Sequence, residues 1–259
     1  MTQLSFIRAK IEIARLMCHP LIGRLISTIY HNRIHTNGLT IDTNLSIITP
    51  EIKASLFWGI YEKAEIRFVK QYIQRDCDVI ELGSSLGVVS CQICKVLDAN
   101  RKLICLEANP ELIEIMKLNL HVNCLEHDVI VIDKAIDYDS SRNSINLSFD
   151  SDHTGARISN GKVNAKHQWE VKTITLSNLL HSYDISEYVL VCDIEGAEAQ
   201  IIDKDGLSLS KCRQIILELH DTTLDGRDIS IDDMLGTLTQ RLGFRLRDQH
   251  GPVLCLERP

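Results

Sequence analysis

From Ile66 onward the chain alternates short apolar runs with stretches of helical periodicity, the pattern of a parallel sheet covered by helices on both faces. Five runs read as strands: 78–82, 102–107, 129–133, 188–193 and 214–219. Their nearly continuous apolar character suits strands buried on both sides. Helices are predicted over 88–97, from Pro110 to about Asn123 with Asn109 as the cap, and near 231–241. Residues 244–247 and 253–257 flank the turn-rich Asp248-Gln249-His250-Gly251 and predict a closing hairpin. Residues 137–170, rich in Ser, Asn, Asp and Gly, break the rhythm and are predicted as a loop or small hairpins over the sheet. Upstream, Leu4, Ile7, Ile11, Ala14 and Cys18 recur at spacings of three and four, and Leu21, Ile22, Leu25, Ile26 and Ile29 follow the break at Pro20. The chain therefore divides into an N-terminal helical extension, 1–60, and a main domain, 61–259.

Composition narrows the class. Over 259 residues, 28 Lys and Arg stand against 35 Asp and Glu, a net charge of −7, with 44% hydrophobic residues. Such a chain buries a full core as one large α/β domain, which excludes collagen, disorder and a small disulfide scaffold. The acidic balance disfavours a nucleic-acid partner, because neutralising a phosphate backbone takes clustered Lys and Arg. The charge is uneven, however. Residues 1–35 carry Arg8, Lys10, Arg15, Arg24 and Arg33 against Glu12 alone, +4 there and −11 over the remainder. A basic amphipathic segment of this kind either packs beside a core or rests peripherally on an anionic membrane surface. Nine scattered cysteines point to a reducing, cytoplasmic setting, and Cys91-x-x-Cys94 has no second ligand pair to make a zinc site. Charges at Arg8, Lys10, Glu12 and Arg15 interrupt any secretion-signal core, and no run of about 18 apolar residues occurs.

In open parallel sheets, ligands sit at the carboxyl ends of the strands. Glu81-Leu82-Gly83-Ser84-Ser85-Leu86-Gly87 closes the first strand; Gly83 suits a tight turn and Gly87 close packing of the helix start. The dinucleotide pattern G-x-G-x-x-G is missing, and an acid in the turn repels a pyrophosphate, which argues against a nicotinamide dehydrogenase. Glu107, ending the second strand, can accept hydrogen bonds from both hydroxyls of a ribose. A nucleoside carrying an ammonium or sulfonium group would satisfy Glu81 and Glu107 together; S-adenosylmethionine is such a molecule. Asp133, closing the third strand, either meets an adenine amino group or is a solvated strand-end acid. Asp193-Ile194-Glu195-Gly196-Ala197-Glu198 crowds three acids into one strand-to-helix turn, costly unless they meet cations or donors.

In this order the segments resemble the FkbM-type S-adenosylmethionine-dependent methyltransferases. The resemblance runs from about Tyr61-Glu62 to His220 and rests on residues 81–87, Glu107-Ala108-Asn109-Pro110, 171–180, 193–198 and Glu218-Leu219-His220. It implies an α/β class I methyltransferase (Rossmann-like) fold with a seven-stranded, mostly parallel sheet whose last strand is antiparallel. It also implies methyl transfer to a hydroxyl of a sugar, glycan or related natural product, with cofactor contacts from Glu81, Gly83, Ser84, Gly87, Glu107, Ala108 and Asp133. Glu81 stands where Asp is usual, Ser85 for Asn, Ala108 for a frequent Pro and Val191 for a common Lys. These departures leave open a second reading, a catalytically silent binding or scaffold protein of the same fold. Methyl transfer needs the acceptor aligned and its proton removed. His220 is the expected base, or else a histidine that only hydrogen-bonds Asp193 or Glu195; Asp193 and Glu195 complete the expected catalytic set. A divalent metal on Asp193, Glu195 or Glu218 lacks an identified third ligand, so no metal residues are assigned. The 137–170 insertion is expected to supply acceptor specificity, with His153 and Arg157 as candidate contacts.

Overall fold

The computed structural model describes residues 12–149, 157–158 and 167–259. Its central sheet has seven strands, numbered here in chain order: β1 (Asp78–Leu82), β2 (Leu103–Glu107), β3 (Val129–Asp133), β4 (Tyr188–Cys192), β5 (Cys212–Glu218), β6 (Arg245–His250) and β7 (Val253–Glu257). They lie in the order β6-β7-β5-β4-β1-β2-β3, and β7 alone runs antiparallel to its neighbours β5 and β6. This is the Rossmann-like architecture, with its antiparallel last strand, that the resemblance implies. The chain leaves β1 towards β2 and β3, then crosses to β4 on the other side of β1. The strand order therefore reverses at the β1/β4 boundary, where a crevice opens at the carboxyl ends.

Side chains alternate across the sheet, and both faces are covered. On one face Val79, Val189, Val191 and Ile216 share an apolar cluster with α1 (Pro20–Ile29), α2 (Pro50–Phe57), α3 (Lys63–Tyr72), α4 (Val88–Cys94) and α5 (Ile113–Asn123). On the other, Ile80, Leu82, Leu190 and Leu254 pack with α6 (Leu176–Ser182), α7 (Glu198–Lys204) and α8 (Ile231–Gly236). Each fully buried aliphatic side chain contributes roughly 1.5–3 kcal/mol, so a strand such as β1 is clamped from both sides.

Several elements differ from the sequence expectation. The N-terminal extension is not wholly helical: Arg33–Thr36 pairs with Leu39–Asp42 around Asn37-Gly38, both at positive φ. A second unforeseen hairpin, Thr222–Leu224 with Arg227–Ile229, turns at Asp225-Gly226 in the same way. Asn-Gly and Asp-Gly are strong hairpin dipeptides, and here their short strands are too brief to register as apolar runs. The regular helix α5 starts at Ile113; before it, the Asn109 side chain accepts a hydrogen bond from the Glu111 N–H at 3.0 Å, closing a turn rather than capping a helix at Pro110. The α8 helix widens into a π-helical turn over Thr237–Arg241.

Of the two expectations for 137–170, a loop or small hairpins, the described residues fit the second: they form a small sheet built on antiparallel pairs. Ser144–Phe149 pairs antiparallel with His167–Ile174 and with Arg157–Ile158, and Ala135–Ile136 joins parallel to Thr173 and Ile174. Ser-Ile-Asn-Leu alternates polar and apolar, so Ile145 and Leu147 turn inward with Ala135 and Val171 while the polar composition suggests a loop.

The N-terminal elements are stitched to the domain by two asparagines. Buried Asn119 accepts from the Asp42 N–H at 2.7 Å and donates to the carbonyls of Asp42 and Leu86, and Asn123 binds Thr40 through both its N–H and its carbonyl. Gly23 of α1 lies against α2 so closely that a Cβ there would come within 1.8 Å of the Pro50 carbonyl oxygen. Gly23→Ala is expected to push α1 off α2 and destabilise the protein by about 1–3 kcal/mol; thermal unfolding measures this, and an unchanged midpoint would show that the two helices are not held in this contact.

Candidate active site

At the β1/β4 boundary, two turns meet. Gly83 has φ +83 and runs so close to the end of β4 that a Cβ would sit 1.7 Å from the Asp193 carbonyl oxygen. The Asp193 N–H in turn donates to the Leu82 carbonyl at 2.9 Å. Gly87, at φ +77, starts α4 against Met116, and Ser84 is buried between these glycines. The next strand end supplies Glu107, which accepts from the Ser85 N–H and the Asn109 N–H, each at 2.7 Å. One backbone donor per carboxylate oxygen fixes its plane and leaves lone pairs directed to the crevice, as a ribose diol requires.

These turns line a cavity formed by Tyr61, Glu62, Gly83, Ser85, Glu107, Ala108 and Asp193, with Leu106, Ala135, Ile136, Ile145 and Leu147 as an apolar wall. The insertion sheet thus builds part of this pocket, an apolar slot suited to a flat aromatic base. Three lining residues, Glu62, Ser85 and Glu195, are non-glycine residues at positive φ, the kind of strain that concentrates at ligand sites. The position 85 departure has a consequence here: Asn tolerates the left-handed region better than Ser, yet the Ser85 hydroxyl also lies 3.1 Å from the Tyr61 hydroxyl.

The chemical set foreseen from sequence divides between places. Gly83, Glu107, Ala108, Asp193 and Glu195 line this cavity together. Glu81 does not; it is buried beneath the turn, bonded by the Ser90 hydroxyl and the Cys105 thiol, and borders a small neighbouring void with Glu62 and Glu65. Asp133 is exposed at the end of β3, in register beside Glu107 but outside the lining. His220 follows β5 and lines a second, larger cavity of about 840 Å³ with Asp137, Arg142, Lys204, Asp221 and Thr222. Ile194, Glu195 and Ala197 line both cavities and form the partition. His153 lies outside the described residues, and Arg157 is described only as a strand residue paired with Ser148.

The partition is held by a residue the sequence reading leaves unassigned. Buried Glu198 accepts the Ile194 N–H at 2.9 Å and the Gly196 N–H at 2.8 Å, one on each oxygen. Tyr61 and Glu62 are also new to the pocket, although the sequence reading places the start of the resemblance there. Their only signal is an aromatic-acid pair after Gly59, too short to distinguish from a helix start.

A family model for the methyltransferase FkbM domain matches residues 87–246, more than half of the chain. The chain belongs to the FkbM methyltransferase family. No curated protein matches the sequence. Solved structures similar to it include Streptococcus pneumoniae Sp1610 in complex with S-adenosyl-L-methionine, at 14% identity over 75% of this chain and 72% of that one, TM-score 0.44. Precorrin-6y C5,15-methyltransferase from Geobacter metallireducens GS-15 is similar at 13% identity over 86% and 96%, TM-score 0.41. The FkbM family and the fold support methyl transfer from S-adenosylmethionine as the general reaction.

The electrostatics of this FkbM site favour a cation. Burial, then the charges of Glu218 and Glu195, pushes the Asp193 carboxyl up to about 8. Burial raises Glu81 to about 7, raises Glu65 to about 7, and pushes Glu62 well up; Glu107 is raised by burial against the lowering pull of its backbone donors. His220 moves up to about 9, because the Glu198 carboxylate, with Asp193 and Glu195, favours the imidazolium more than burial opposes it. Its nitrogens stand 3.5 Å from Glu198, 3.6 Å from Glu218 and 3.8 Å from Glu195, ion-pair distances rather than hydrogen bonds. Asp193, Glu195 and His220 bring one ligand atom each within 4.8 Å of one another, a spacing that would also admit a divalent cation.

A bound sulfonium and ammonium stabilise ionised carboxylates, so their raised pKa values fall on binding. Near pH 7, S-adenosylmethionine binding is therefore expected to release protons, read as a dependence of calorimetric enthalpy on buffer ionisation; proton uptake would contradict this charge assignment. Glu107→Ala removes a charged acceptor worth about 1.5–3 kcal/mol per hydrogen bond, and titration calorimetry should show cofactor affinity falling by at least tenfold.

Proposed function

We propose that this methyltransferase acts on a hydroxyl oxygen of a polar acceptor, such as a sugar, a glycan or a related natural product. The observation that carries the reading is the shared partition: the nucleoside pocket and the larger polar cavity meet at residues 194–197, and His220 faces that cavity. In the first cavity Glu107 would hold the ribose of the cofactor, and Asp193 and Glu62 its cationic end. The acceptor occupies the second, whose Asp, Thr, Arg and His side chains offer donors and acceptors to several hydroxyls. A phosphate polymer is a poor fit, because Arg142 is tied to Asp137 at 2.7 Å and Lys204 lies 3.5 Å from Asp225, leaving the lining acidic.

In the transfer, an acceptor oxygen lone pair attacks the methyl carbon in line with the carbon–sulfur bond. When bound, S-adenosylmethionine would supply that methyl group on a sulfonium that leaves as a neutral thioether, the electron pair of the broken carbon–sulfur bond staying on sulfur. The acceptor proton passes to neutral His220. Cofactor binding supports that role, because each positive charge brought beside Asp193 and Glu195 lowers the imidazole from about 9 towards neutrality.

Incubation with isotopically labelled S-adenosylmethionine and a fractionated pool of hydroxylated acceptors, followed by mass spectrometry, is expected to give a labelled O-methyl product. A label found only on nitrogen, carbon or nucleic acid would overturn the acceptor class. His220→Ala should lower turnover by about 10²–10⁴-fold while S-adenosylhomocysteine still binds. At saturating cofactor, kcat/KM should rise with pH along a limb below 9 that disappears in the variant. Binding without transfer to any acceptor in the wild-type protein would instead favour a silent scaffold.

A further inference from the structure

The N-terminal end of the molecule presents an apolar surface that the core does not use. Residues 12–17 are helical and lead into α1. Ile13, Leu16, Leu21, Leu25 and Ile29 are each between 58% and 68% exposed, whereas Gly23 and Ile26 of the same helix are buried. Leu21, Leu25 and Ile29 recur every fourth residue and form one stripe beside the buried face. Trp58 adds an exposed indole, whose Nε1–H donates to the Met17 carbonyl at 3.0 Å and so holds the ring against the end of the first helical segment. Scattered exposed aliphatics are ordinary; five along two consecutive short helices, joined by a tryptophan, are not.

Charge decides what covers this face. Arg24 stands exposed on α1 between Leu21 and Leu25, Arg15 pairs with its neighbour Glu12 at 2.8 Å, and Arg33 stays exposed while reaching Asp42 at 3.6 Å. Residues 1–35 carry +4 and the remaining chain −11. Pairing with a second copy about a twofold axis would set this basic end against itself. An anionic bilayer matches both properties, taking the aliphatic stripe and the indole into its interface, attracting the arginines and repelling the acidic body so that only this end approaches. We propose that this end docks on a bilayer surface containing anionic phospholipid. The attachment is peripheral: among the described residues no helix is long and apolar enough to cross a membrane. Trp58 stands three positions before Tyr61 of the cofactor pocket, so the docking face and the pocket share one short stretch of chain.

The test is co-sedimentation of the full-length chain with vesicles of phosphatidylcholine alone and with phosphatidylglycerol added. Pelleting is expected with the anionic vesicles, weakening as salt is raised. Arg24→Gln should reduce the partition coefficient about fivefold, and the combined Leu21→Gln, Leu25→Gln, Ile29→Gln variant should abolish pelleting without lowering the unfolding midpoint. Equal absence of the wild-type chain from both pellets would overturn the proposal. So would light scattering that shows a dimer converted to monomer by the same triple variant, since the occupant would then be a second copy. Cofactor binding, measured alongside, is independent of either result.

Discussion

The carboxyl edge of the sheet depends on how closely the turn after β1 passes the end of β4. With no side chain at residue 83, the two backbones touch, and the Leu82 carbonyl accepts the Asp193 N–H at 2.9 Å. That contact brings the Gly-rich turn, the Glu107 carboxylate and the acidic turn at 193–198 to one crevice. Any side chain at position 83 would force the turns apart, and the two cavities would lose the partition they share. The sheet order matters for function because it places these two strand ends side by side.

The chemistry of the crevice follows from how its charges are balanced. At Asp193, Glu65 and Glu81, desolvation is the largest influence, and neighbouring carboxylates add to it at Asp193 and Glu65. Such groups give up their charge rather than remain ionised without a partner. Glu107 differs in kind, because two main-chain amides hold it and partly offset its burial. The site thus combines a fixed acceptor for hydroxyls with a group of acids whose ionisation depends on what enters. A sulfonium cofactor suits the second property and its ribose the first.

Much of this was legible in the sequence, and the failures have physical causes. Long apolar runs buried on both faces mark strands whatever surrounds them, so β1 to β5 lie where periodicity puts them. The insertion reads no more sharply than a loop or small hairpins because its strands bury one face only, and their outward Ser, Asn and Lys residues dominate the composition. Glu81 illustrates a different limit. An acid at a strand end is visible in the sequence, but what its side chain meets, a ligand or the buried Ser90 hydroxyl and Cys105 thiol, depends on other elements. Tyr61 and Glu62 reach the pocket only through tertiary packing of the segment before α3, for which no local pattern exists.

Glu198 carries one more implication. Its two oxygens hold the amides of Ile194 and Gly196, bonds internal to the turn that fix its shape from within the chain. Ordering a loop during association subtracts from affinity, and here that entropy is lost during folding instead. Recognition can then be fast and rigid at the reacting centre, and any adaptation to acceptors of different shape falls to the outer rim of the larger cavity, where the hairpin at Asp225-Gly226 and the start of the insertion lie.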